Sequence, residues 1–277
     1  MKKVIINADD FGYSENNNIA IKKGFEKGII TSTSLLANMT GFEHAIKEIV
    51  PQIENIDIGF HFNIMEGKSL SDCNLLCNTE GFFQNSYQKL IIKSKEKIFL
   101  NQLEKEFRTQ IEKVMAHCKI SHIDSHVHTH AIPDIFNLLL KLANEYKIGY
   151  IRTQKELPYI VPNKVLSLKF PVNIIKNLLL NTYTYINEKE LINYEIKTND
   201  YFIGVLYTGY MDEKSIINGL KQIKKENSVT EVIFHPYYAN SIPKEKQHNY
   251  EEFLITQNPH LKKEIENMGF VLSDYSA

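Results

Sequence analysis

The run SHIDSHVHTH, residues 121–130, holds four of the chain's ten histidines, His122, His126, His128 and His130, with Asp124 among them. In an extended strand, alternation puts these five on one side and Ile123, Ser125 and Val127 on the other. One ion cannot use them all. Imidazoles with a carboxylate suit a borderline divalent metal such as zinc, manganese, cobalt or nickel, and neighbours of the true ligands would hold them by hydrogen bonds. A satisfied polar turn is the competing reading, which so dense a cluster disfavours. Asp9 and Asp10 close the first apolar run. At a strand-to-loop junction one can ligate a metal while the other acts as a base, or one can cap the next turn. His61 in IGFHFNIMEG and His235 in VIFHPYY each end a short apolar segment, the second stopped by Pro236. Arg152 in YIRT has apolar flanks, so a nearly buried guanidinium needs a carboxylate, which Asp9 or Asp10 would supply.

A scaffold must bring these distant positions together. Short β-branched runs alternate with longer amphipathic stretches, the mark of βα units around a parallel sheet. Eight candidate strands are Val4–Asn7, Ser32–Leu36, Ile56–Phe60, Ile120–Ser125, Gly149–Arg152, Tyr201–Leu206, Glu231–Phe234 and Phe270–Ser273. Helical patterns lie near Asn17–Lys27, Phe42–Val50, Glu96–Cys118, Asp134–Tyr146, Asp212–Lys225 and Tyr250–Met268. The expectation is an α/β fold, a deformed (β/α) TIM-like barrel with seven to eight mostly parallel strands. Asp9, Asp10, Asn38, His61, His126, His128, Arg152, Tyr207, Thr208 and His235 then fall at the C-terminal strand ends, the face where such barrels build active sites. Residues 1–277 read as one domain with insertions near 65–95 and 154–199. The first, with Gly67 and Gly81, resembles a lid loop. The second, with Pro158, Pro162 and Pro171 before the amphipathic run IIKNLLLNTYTYI, is expected to pack beside the barrel mouth.

Composition narrows the class. The 277 residues are 43% hydrophobic and 23% charged, enough for a buried core. A net charge of -1 offers no footprint for nucleic acid or an anionic membrane. Only three cysteines, without CxxC spacing, argue against a disulfide framework or zinc knot. The first apolar run is too short for a signal-peptide core, and no run approaches the roughly 20 residues of a membrane span. A cytoplasmic protein is expected, with a homodimer as the default assembly.

The segments VIINADDFGYSENNNIAI, GIITSTSLLAN, IGFHFNIMEG, HIDSHVHTH and EVIFHP, in this order, resemble the YdjC/ChbG-type carbohydrate deacetylases. That resemblance implies a metal-dependent hydrolase removing acetyl from N-acetylglucosamine-containing oligosaccharides, such as a chitin disaccharide or its phosphate. It implies one divalent ion on Asp10, His61 and His126; magnesium or zinc is foremost and manganese, cobalt or nickel are alternatives, and within the histidine run His128 stays the alternative ligand. It further implies Asp9 as catalytic base, His235 as general acid and Arg152 as the residue orienting the base. Asn38, His128, Tyr207 and Tyr237 are the candidate sugar-binding residues, the tyrosines by stacking. Tyr237 and Tyr238 follow the HP pair where relatives often have a small residue. Two rivals are a mononuclear iron oxygenase, suggested by the His122-Ile123-Asp124 element, and a metal- or sugar-binding barrel without catalysis.

Overall fold

Val4, Ile5 and Ile6 are wholly buried, and their strand, β1 (Lys2–Phe11), is the centre of the sheet in the computed structural model, which describes residues 1–276. An apolar run on both faces is what a strand covered from both sides requires. Around it lie β2 (Ser32–Leu35), β3 (Asp57–Phe62), β4 (Ile123–Ser125), β5 (Tyr201–Ile203), β6 (Val229–Phe234) and β7 (Phe270–Ser273). The order is β4-β3-β2-β1-β6-β5 and every pairing is parallel. β6 pairs with β1 along Lys3–Ala8, while the opposite edge is shared by β7 against Lys2–Ile5 and β2 against Asn7–Phe11. The curled sheet is a deformed barrel, as the alternation of patterns predicts.

Seven strands form among the described residues, and Gly149–Arg152 is not one of them. It makes only the single bridges Ile123↔Ile151 and Tyr150↔Lys197. The reason lies in the next donors: Thr153 N goes to the Asn199 side chain (2.8 Å) and Gln154 N to Thr184 Oγ1 (3.1 Å), so the ladder cannot propagate. Phe202 N donates to Lys155 O (2.9 Å), which ties β5 irregularly to this segment.

The helices are α1 (Glu15–Lys27), α2 (Phe42–His44), α3 (Tyr87–Lys93), α4 (Lys97–Met115), α5 (Pro133–Glu145), α6 (Phe170–Leu191), α7 (Glu213–Gln222), α8 (Gln247–Thr256) and α9 (Pro259–Asn267). α4 buries Phe99, Leu103, Phe107, Ile111 and Val114, the spacing of one helix face. The single helix expected over Tyr250–Met268 is two, because Pro259 cannot continue α8 and instead starts α9, whose first turn is capped by Asn258 accepting from His260 N (2.9 Å). The loop after β3 is fastened to α4 by Glu106, which accepts from Leu70 N (3.0 Å), Ser71 N (2.9 Å) and Ser71 Oγ (2.6 Å). No helix among the described residues is long and apolar enough to cross a membrane.

Candidate metal centre and active-site cavity

Adjacent strand residues point in opposite directions, yet Asp9 and Asp10 both reach the inner side of the sheet's C-terminal end. The β1–β2 register breaks between Ala8 and Phe11, and Asp10 takes a left-handed backbone, φ +68°. Such a conformation is uncommon outside glycine, though aspartate tolerates it better than most. It turns the Asp10 carboxylate towards two imidazoles. Oδ1 lies 2.9 Å from His126 Nδ1 and 3.5 Å from His61 Nε2, and the three residues' ligand atoms lie within 4.8 Å of one another.

His61 is fixed from behind. Asp124 Oδ1 accepts from its Nδ1 at 2.7 Å, which turns Nε2 towards Asp10 as the nitrogen a metal would take. A carboxylate behind a ligating histidine sets the tautomer a metal needs. Burial opposes charge on both imidazoles, but Asp124 and Asp10 outweigh it and push His61 up to about 10, while Asp10 and Glu66 push His126 up to about 9. Burial likewise opposes charge on Asp10, yet His126 and His61 hold its carboxyl well below the usual range. An anion buried between two proton-hungry imidazoles is a donor set for a divalent cation, which would take the place of those protons. A second grouping, Asp9, His61 and Asp124, has similar spacing, but Arg152 already occupies both its carboxylates.

Arg152, wholly buried, is shared by three acids. Its Nη1 and Nη2 donate to Asp9 Oδ2 and Oδ1 (2.8 and 2.7 Å), Nη2 meets Asp124 Oδ2 (2.6 Å), and Nε donates to Glu231 Oε1 (2.7 Å). Burial works against an ionised Asp9, but Arg152 prevails and lowers its pKa. Burial pushes Glu231 up to about 7 against the same guanidinium. Ser34 Oγ completes the support, donating to Asp124 Oδ2 (2.6 Å) and accepting from Asn7 Nδ2 (2.8 Å), which also donates to Asp9 (2.7 Å).

His235 sits just past β6. Glu252 Oε2 accepts from its backbone N–H (2.6 Å) and lies 3.5 Å from Nδ1. Burial disfavours the imidazolium, but Glu252 overrides it, with help from Asp10 and Asp9, and pushes the pKa up to about 9. Asp9, His61, His126, His128 and His235 line one cavity of about 400 Å³, walled on the apolar side by Val127, Leu179, Leu180 and Val205. That volume is in the range of small-ligand sites.

The alternation expected through SHIDSHVHTH stops at Ser125. Val127 and His128 both take left-handed backbones, φ +56° and +55°, and the chain turns sharply through His126–Ala131. The turn separates the histidines. His126 joins Asp10; His128 faces the cavity beside Phe202, its Nδ1 buried without a partner, and burial with Arg152 drives its pKa well below the ordinary value. His130 is spent on Ser125 (2.6 Å) and Gln154 (2.7 Å). His122 is stacked on Tyr275 at 3.6 Å and bonded to Ser34 and Ser121, out of the cavity.

Three candidate sugar contacts are not brought to the cavity wall. Asn38 holds the loop after β3 through Glu66 O (2.9 Å) and Lys68 O (3.0 Å). Tyr207 donates to Tyr159 O (3.1 Å) and accepts from Val161 N (2.9 Å). Tyr237 accepts from Asn16 Nδ2 (2.9 Å). Sequence reasoning missed Glu66, whose Oε1 is 3.7 Å from His126 Nε2 and whose Oε2 accepts from Tyr13 (2.8 Å); nothing in its loop marks it. Glu231 did carry a signal, a carboxylate inside the apolar strand VTEVIF.

Fold and site together define a TIM-like α/β barrel whose strand ends carry an aspartate and two histidines able to hold a divalent cation. Within that class the chain belongs to the YdjC-like family, whose profile matches residues 3–267. It is 30% identical to a protein named carbohydrate deacetylase from Clostridium beijerinckii, over 86% of this chain and 83% of that one. It is 40% identical to one of the same name from Brevibacillus brevis, but there the match spans 53% of this chain and little more than half, 57%, of the relative. The fold is similar to a solved structure from Enterococcus faecalis V583, provisionally described as a cellobiose-phosphate cleavage protein, with a TM-score of 0.74, 23% identity and coverage of 99% and 98%.

Proposed function

We propose that the chain is a metal-dependent carbohydrate deacetylase that removes acetyl from an N-acetylated sugar, an N-acetylglucosamine oligosaccharide such as chitin disaccharide or its phosphate. The observation that carries this reading is the close approach of Asp10 to His61 and His126, two histidines that line one cavity together with an ionised Asp9 and a basic His235. Names of relatives support the sugar and the acyl group.

An amide resists hydrolysis because water is a poor nucleophile, the carbonyl a weak electrophile and the amine a poor leaving group. A divalent ion on Asp10, His61 and His126, magnesium or zinc first, would supply Lewis-acid polarisation of the acetyl carbonyl and acidify the attacking water. Asp9 takes the proton of that water on a carboxylate oxygen. Arg152 orients Asp9 through two hydrogen bonds and keeps it ionised. His235 carries a proton at neutral pH and hands it to the departing amine, while Glu252 anchors its Nδ1 side. Neutral His128 and the apolar wall of Leu179, Leu180 and Val205 bound the acetyl and sugar positions.

The test is acetate release from a panel of N-acetylglucosamine oligomers, plain and phosphorylated, by metal-stripped protein with individual ions restored. Release that returns with a divalent ion supports the reading. Tight ion and sugar binding without acetate release would leave a binding barrel and overturn it.

A further inference from the structure

The two imidazoles of the candidate metal site use their nitrogens alike. His61 turns Nε2 to Asp10 Oδ1 (3.5 Å) and Nδ1 to Asp124 Oδ1 (2.7 Å). His126 turns Nδ1 to Asp10 Oδ1 (2.9 Å) and Nε2 to Glu66 Oε1 (3.7 Å). A ligating nitrogen needs its lone pair, so the proton of a neutral ring belongs on the other nitrogen, and a carboxylate there holds both the tautomer and the ring orientation. Asp124 stands in that place for His61 from β4. Glu66 stands in it for His126 from the loop after β3. At 3.7 Å the pair is longer than a hydrogen bond, and the Glu66 side chain, 48% exposed, has room to close it. Among the described residues His126 is the only ion-pair partner of Glu66, so no lysine or arginine competes for the carboxylate.

The loop is built to present this side chain. Asn63 Oδ1 accepts from Met65 N (2.9 Å) and Glu66 N (3.2 Å), and Glu66 O accepts from Asn63 Nδ2 (2.8 Å) and Asn38 Nδ2 (2.9 Å). Both main-chain polar groups of Glu66 are therefore held inside the protein. Gly67 follows with φ +77°, and a Cβ on it would lie 2.8 Å from Met39 Sδ, so the turn behind Glu66 accepts no other residue without strain. The carboxylate itself is aimed by Tyr13, whose hydroxyl donates to Oε2 (2.8 Å) and leaves Oε1 towards His126. Tyr13 follows closely on Asp10 in the chain, so one segment supplies a candidate ligand and the group that aims the carboxylate behind its neighbour.

We propose that Glu66 is a positioning residue for the metal site: it fixes the His126 tautomer and thereby ties ion affinity to the placement of the loop after β3. The proposal rests on an ion at Asp10, His61 and His126 and not on deacetylation. It is tested by titrating zinc into metal-stripped protein in a calorimeter at low ionic strength, where a half-exposed charge is least screened. Glu66→Ala is expected to weaken zinc about 10-fold, the lower end of what such carboxylates contribute, because Glu66 is far more exposed than Asp124. Glu66→Gln keeps an oxygen for the ring proton without the charge and should recover part of that loss. Tyr13→Phe, which frees the carboxylate to swing away, should weaken zinc in the same direction by less. All three variants should keep the wild-type circular dichroism. Cobalt separates positioning from ligation: at saturation its visible absorption bands should be the same in wild type and Glu66→Ala, because the ligands are the same. Equal zinc affinity in wild type and Glu66→Ala overturns the proposal alone, and so do shifted cobalt bands, which would make Glu66 a ligand. Wild-type protein that binds neither zinc nor cobalt overturns the metal site and this proposal with it.

Discussion

Asp124 grips His61 at Nδ1 with one oxygen, 2.7 Å away, and Arg152 with the other, 2.6 Å away. One buried carboxylate thereby joins the candidate metal site to the candidate base. Asp124→Asn keeps the shape but loses the charge that fixes the His61 tautomer. Zinc affinity, measured by calorimetry, is expected to fall about 10- to 100-fold. Stability should drop too, by about 3–5 kcal/mol if Arg152 loses the pairing of one acid outright and less if Asp9 and Glu231 compensate. Unchanged affinity would separate His61 from any metal.

Asp9 and His126 should fail differently. Asp9→Asn leaves Asp10, His61 and His126 in place, so metal binding survives while kcat falls by about 10²–10⁴, the usual contribution of general base catalysis. His126→Ala removes a ligand and loses both. Full activity of the Asp9 variant on an N-acetylated sugar removes Asp9 as the base.

The pH profile reports on His235. Its pKa is raised to about 9, and the acid-competent form is the protonated one. Activity that depends on this proton is therefore present below that pH and lost as pH rises through it. Glu252→Gln removes the hydrogen bond and charge that oppose burial, so the basic limb of kcat/KM moves to lower pH with the same ion bound. A limb that stays in place assigns the proton donor elsewhere.

How far these residues could be read from sequence follows from what fixes each one. Asp10, His61 and His235 end apolar runs, and parallel topology brings strand ends to one face whatever the loops do. His126 could not be told from His128 by alternation, because the choice is made by left-handed backbones at Val127 and His128, which neither residue type announces. The run IIKNLLLNTYTYI reads as an amphipathic helix packed on the barrel, and the helix forms, but with Asn173 and Asn177 inward. Periodicity finds an apolar face; it does not say which way that face points. Glu66 comes to His126 only through the path of the loop after β3, which Asn38 and Asn63 hold by hydrogen bonds to Glu66 O.

Gly59 offers a test of the support beneath the site. A Cβ there would lie 2.2 Å from the ring atoms Cε1 and Nε2 of His122, far inside van der Waals contact. His122 cannot retreat, since Tyr275 stacks on it at 3.6 Å and Ser34 and Ser121 bond its two nitrogens. Tyr275 is itself pinned, Asp57 accepting from its backbone N–H at 2.7 Å. Gly59→Ala is therefore expected to destabilise the fold by about 1–3 kcal/mol or more, read as a lowered urea midpoint. It should also shift His61, two residues along β3, and so weaken metal binding. In a His122→Ala background the added methyl has room, and the cost of Gly59→Ala should shrink or vanish. Equal costs in both backgrounds would mean that the backbone of β3, and not the His122 ring, resists the methyl.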